Sequence, residues 1–138
     1  MNSPSFPAGP TAPASAGPSF RVRQAPEAPA YHQLLLEDAH GNVAQWMIPV
    51  ALKELARQPV LLWLLPTAPE PDTHACVETG AVQLVPAHLD HAPDLRTLLM
   101  QGRLQLNFDG RLLRGYHRLR CLSGGNGQLW QLTPIGHA

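Results

Sequence analysis

From Tyr31 onward every apolar run is short, and turn-forming residues interrupt each run before a long amphipathic helix can develop. The longest strongly apolar stretch, Val60 to Leu65, has the length of a buried strand and is far too short to span a bilayer as a helix. Apolar runs bounded by turn residues predict strands at His32 to Asp38, Val43 to Ile48, Val60 to Leu65, His74 to Glu78, Ala81 to Val85, Leu104 to Phe108, Leu112 to Leu122 and Leu129 to Thr133. The expected fold is therefore mainly β, a compact β-barrel of about eight strands with one or two short flanking helices.

Turn chemistry agrees with this segmentation. Gly41, within His40-Gly41-Asn42, is expected to supply a positive φ between the first two of these strands, and Asp109-Gly110 suits a primed hairpin turn that matches strand twist. Two segments read as short helices: Val50 to Gln58, after Pro49 and stopped by Pro59, and Asp94 to Gln101, after Pro93 and ended by Gly102.

Met1 to Ala30 holds nearly half of the chain's 15 prolines among many Ala, Ser and Gly. It shows no periodic apolar face to offset the entropy of ordering it. The expected organisation is a disordered tail over residues 1–30 and one folded domain over 31–138. The tail contains no apolar run of the secretory kind, so the expected compartment is the cytoplasm, with no membrane partner. In that reducing setting Cys76 and Cys121 are expected as small buried thiols and not as a disulfide.

The formal net charge is zero, which argues against a surface that traps nucleic acid everywhere, yet the charges are segregated. Residues 31–100 carry Lys53, Arg57 and Arg96 against a clear excess of carboxylates, whereas residues 101–138 carry Arg103, Arg111, Arg114, Arg118 and Arg120 against Asp109. Strand alternation places Arg114, Tyr116, Arg118 and Arg120 on one face and Leu113, Gly115, His117, Leu119 and Cys121 on the other. Arginines with an aromatic among them suit a phosphate backbone, although the solvated face of any barrel strand can look the same.

Other chemistry has less support. His88-Leu89-Asp90-His91 could donate to a metal, but with no third ligand nearby it reads as a polar loop before a helix. His74 beside Cys76 reads as packing in the same way. No nucleophile elbow, phosphate-binding loop or dinucleotide glycine pattern occurs.

Three stretches carry a family resemblance. Tyr31 to Pro49, YHQLLLEDAHGNVAQWMIP, is similar to a segment with a leucine, an H-x-D-x-R motif, a glycine turn and W-A-V-P. Gly102 to Leu122, GRLQLNFDGRLLRGYHRLRCL, resembles G-R-L-x-F-x-L-x-G-x-K-L-x-G-x-x-x-L-x-R-L, and GQLWQLTPI resembles a closing W-x-L-x-K strand. Together they make the chain resemble the 3′-phosphoesterase domain of bacterial DNA ligase D. Glu78 to Val85 adds a looser match to that family's glycine-rich strand. The resemblance implies a β-barrel, trimming of 3′-terminal phosphates and ribonucleotides in end repair, and manganese held by histidines and an aspartate.

The chain departs from the family where that chemistry resides. The H-x-D-x-R positions are His32, Leu34 and Leu36, and a leucine neither coordinates a cation nor pairs with phosphate. The upstream family histidine falls on Ala25 or Pro26, and Leu64 to Pro69 stands where the family has D-H-P-L-E-Y. His32 is thus the one metal position retained, and no cofactor is expected unless a residual site takes manganese. Three readings follow: a non-catalytic module that binds DNA ends or a repair protein through Arg114 to Arg120; a residual phosphoesterase in which His117 assists His32; and an interaction protein without nucleic acid.

Overall fold

The computed structural model describes residues 17–24, 31–66, 76–85 and 94–135. Eight strands are present: β1 Ser19–Gln24, β2 His32–Glu37, β3 Val43–Ile48, β4 Val60–Leu65, β5 Cys76–Val85, β6 Arg103–Asp109, β7 Arg114–Cys121 and β8 Leu129–Pro134. They form one closed antiparallel barrel in the order β1-β2-β3-β4-β8-β7-β6-β5, with β5 returning to β1. Closure leaves no strand with an unpaired edge, which is how a small β domain avoids templating its own aggregation.

The expected fold class is what the chain adopts, but the strand count is reached by a different route. Ser19–Gln24 falls in the segment that composition assigns to a disordered tail, and it is a strand paired with β2 on one side and β5 on the other. Phe20 and Val22 point inward and are 1% and 0% exposed, so long-range pairing and burial supply what the local composition does not. The remainder of the supposed tail, residues 1–16 and 25–30, lies outside the described residues. Conversely, the two strands expected at His74 to Glu78 and Ala81 to Val85 merge into β5, which runs unbroken through Gly80. That glycine reads as a break in sequence. In the fold it makes room, because a Cβ there would press on the Asp109 carbonyl and the Phe20 ring.

Inward-facing residues alternate along every strand and fill the barrel. Trp46 packs edge-on against Trp130 at 5.8 Å between ring centroids, and Phe20 against Phe108 at 5.1 Å. The helix α1, Leu95–Gln101, closes one end: Leu95 is buried, Asp94 caps it through the Arg96 N–H, and Gly102 ends it at φ 84°. The other expected helix shortens to a 3-10 turn at Leu52–Ala56, which sends Leu55 into the opposite end of the core. Gly41 has the expected positive φ of 90°. Asp109-Gly110 does not make a two-residue primed turn: Asp109 pairs with Arg114, four residues form the loop, and Gly110 lies outside the left-handed region. Both cysteines are free, as expected, but Cys76 is exposed and Cys121 half-buried. Among the described residues no helix is long and apolar enough to cross a membrane.

Candidate nucleic-acid interface

β7 divides its residues as the alternation requires. Arg114, Tyr116, Arg118 and Arg120 are exposed, with Tyr116 at 40%, while His117 and Leu119 are 1% and 0% exposed on the core side. Pairing extends the outer face sideways. On β6, Arg103 lies opposite Arg120, Gln105 opposite Arg118, Asn107 opposite Tyr116 and Asp109 opposite Arg114. On β8, Gln131 lies beside Arg120 and Thr133 beside Arg118.

Arg103 and Arg120 are therefore like charges placed directly across a strand pair, an arrangement that costs stability. Among the described residues, no ion pair or side-chain hydrogen bond engages Arg103, Arg114, Arg118 or Arg120. The wall thus presents four arginines flanked by amide and hydroxyl groups, with Asp109 as the one acid on its β6 side, opposite Arg114. It can hold phosphate oxygens without reading base sequence. Arg103, Gln105 and Gln131 join the stripe only through register, which no spacing along the chain reveals.

The interior presents a different chemistry. His32, Leu34 and Leu36 share the inward face of β2, and the two leucines are 0% and 1% exposed. Leu34 and Leu36 occupy the positions that the resemblance gives to a carboxylate and a phosphate clamp, and they are packed in the core. Desolvation lowers the pKa of His32, and its Nδ1 is buried with no hydrogen-bond partner, as is Trp46 Nε1. His117 also points inward, but both ring nitrogens face carbonyl oxygens, Nε2 that of Leu55 at 3.1 Å and Nδ1 that of Gly115 at 3.2 Å. Burial lowers its pKa, opposed by those two carbonyls.

Glu78, a third inward-facing titratable group, has its carboxylate filled by the backbone N–H groups of Arg111, Leu112 and Leu113 at 2.8–3.1 Å. Among the described residues no three His, Cys, Asp or Glu side chains converge. The described donors do not fit a manganese cage: His117 and Glu78 are committed to backbone partners, and leucines stand beside His32. The His88 to His91 cluster, His74 and the Ala25/Pro26 position lie outside the described residues.

No family model and no curated protein matches the chain.

Proposed function

We propose that this chain is a phosphoesterase-like barrel, catalytically degenerate, that binds DNA ends through the outer face of β7. The observation that carries the reading is the row Arg114, Tyr116, Arg118 and Arg120, exposed on one face, its arginines in no ion pair among the described residues and with Asp109 opposite Arg114 as the one acid across on β6. The resemblance to the DNA ligase D phosphoesterase domain supplies the context of end repair in the cytoplasm. The apolar inner face of β2 supports loss of the family's metal-dependent chemistry, because phosphoryl transfer depends on positioning and charge neutralisation that leucines cannot give.

Binding of a 3′-recessed duplex, measured across a salt series, tests the DNA reading. The affinity falls steeply with salt in the wild type, and Arg118→Glu with Arg120→Glu removes most of it. No binding at low salt overturns it. Incubation with manganese and a 3′-phosphate primer-template yields no product; a trimmed end would restore catalysis and sink the degenerate part of the reading.

A further inference from the structure

The outer wall of the barrel carries an apolar zone that abuts the arginine row. Trp63 is 44% and Leu61 48% exposed, whereas the other two tryptophans, Trp46 and Trp130, are 0% and 2% exposed in the core. Trp63 on β4 pairs with Met47 of β3 on one side and Leu129 of β8 on the other. Two residues along the strands, Leu61 faces Gln131, Gln131 faces Arg120, and Arg120 faces Arg103. A continuous row thus crosses four strands from an exposed apolar side chain to two guanidinium groups, with a single glutamine between.

We infer that this wall, from β4 across β8 and β7 to β6, is a platform for single-stranded nucleic acid, on which a base stacks on Trp63 while its phosphates run along Arg120, Arg103 and Arg118. The inference rests on the reading of the arginine face above and narrows its ligand from a DNA end in general to the unpaired strand of that end.

Dimensions and chemistry both favour it. Two strand spacings and a two-residue offset put the Trp63 and Arg120 Cα atoms roughly 12 Å apart, a gap that a nucleotide and an extended arginine side chain can bridge together. Tyr116 lies further along β7, roughly 20 Å from Trp63, which suits a site at the short end of the ~4–16 nucleotides that small barrels cover. The groups between them, Gln131, Thr133, Gln105 and Asn107, are hydrogen-bonding and neutral. The one acid on this wall of β6 and β7 is Asp109, at the far end opposite Arg114. A protein interface would ask for a broader apolar centre than Trp63 and Leu61 with half-buried Met47, Leu65 and Leu129 around them. An exposed indole beside phosphate-binding cations answers better to a base, whose face is open only when the strand is unpaired.

Fluorescence titration of the full chain with an oligo(dT) of about 12 nucleotides tests this, beside a blunt duplex of the same length. The single strand binds more tightly than the duplex at equal salt. Trp63→Ala weakens it about tenfold or more with an unchanged salt slope, and Trp63→Phe, which keeps a ring, retains most of the affinity. Arg120→Glu lowers both affinity and salt slope. If Trp63→Ala binds like the wild type while Arg120→Glu does not, the stacking platform is refuted and the arginine face stands. If neither nucleic acid binds at low salt, both readings fall. If Trp63→Ala only dissociates a dimer seen in sedimentation and leaves oligonucleotide binding unchanged, the wall is a protein interface and the inference is overturned. Melting curves of both Trp63 variants confirm that each is folded.

Discussion

The carboxylate of Asp38 accepts the backbone N–H of Leu95 at 2.8 Å, tying the turn between β2 and β3 to the first residue of α1, far along the chain. The same carboxylate accepts the N–H groups of His40 and Asn42 and the side-chain amide of Asn42, which in turn donates to the cap residue Asp94. One buried anion thus organises a turn, a helix start and the closure of one barrel end. Asp38→Ala leaves two or more donors unpartnered, and the expected loss is roughly 2–4 kcal/mol in urea unfolding. A loss below about 0.5 kcal/mol, in the range of an ordinary surface site, would show that water replaces these bonds without cost.

Acid titrates this device in its own pH window. Burial alone would raise the Asp38 pKa, but the Asn42 side chain and the N–H groups of Leu95, Asn42 and His40 hold it down at about 2 against an ordinary 3.8. A depressed carboxylate contributes its full stabilisation above the unfolded-state value and loses it as pH falls through the folded one. Between about pH 4 and pH 2 the wild type should lose roughly 2 kcal/mol that Asp38→Asn does not lose, because the amide has no proton to gain there. Parallel denaturation curves for the two proteins over that range would count against the assignment.

His117 acts in a milder window. Its folded pKa lies below 6.5, so the neutral ring is favoured in the fold; this contribution is complete above 6.5 and is lost as pH falls through the folded value. His32 shifts in the same direction. Replacing His117 with Phe, which can keep the edge contact with Phe108, should flatten part of the stability loss below pH 6.5, leaving the part due to His32. The variant also orphans the Leu55 carbonyl and should be about 1–2 kcal/mol less stable at neutral pH. An acid limb steeper than wild type would mean that His117 is held charged by its two carbonyls.

Gly110 is required for space. A Cβ there would meet the Glu78 carboxylate, the Phe20 ring and the Leu113 carbonyl at once, and two of these are fixed by the hydrogen bonds that close the β6–β7 loop. Gly110→Ala should cost roughly 1–3 kcal/mol, as overpacking does, while Gly124→Ala, with nothing near its Cβ, should stay within about 0.5 kcal/mol. Equal melting temperatures for the two variants would contradict the packing argument.

These residues also show what the sequence makes legible. The division of β7 into an arginine face and a core face follows from a period of two and survives intact, as do Gly41, the Asp94 start of α1 and the stop at Gly102. β1 is hidden because its two apolar side chains, Phe20 and Val22, sit in proline-rich surroundings and gain their burial only from β2 and β5. Gly80 falls between two expected strands and Gly110 in an expected hairpin turn, although each serves close packing, because composition does not distinguish conformational need from lack of room. Trp63 is invisible as a surface residue for a related reason. Val60 to Leu65 is apolar at every position, so no alternation shows which side faces out, and the Arg103–Arg120 pairing exists only once register is fixed.

That pairing separates stability from function. Two guanidinium groups facing each other across β6 and β7, in no ion pair among the described residues, work against the fold, and Arg120→Glu turns the pair into an attractive one. The expected gain is about 0.2–1 kcal/mol in unfolding free energy, screened away as salt rises. If the arginine wall exists to hold phosphate, the same variant binds oligonucleotide more weakly while melting at a higher temperature, which is the signature of a surface shaped by its ligand. A variant that is both less stable and unchanged in binding would mean that Arg120 serves the barrel itself, through its aliphatic stem packed along β6 and β8.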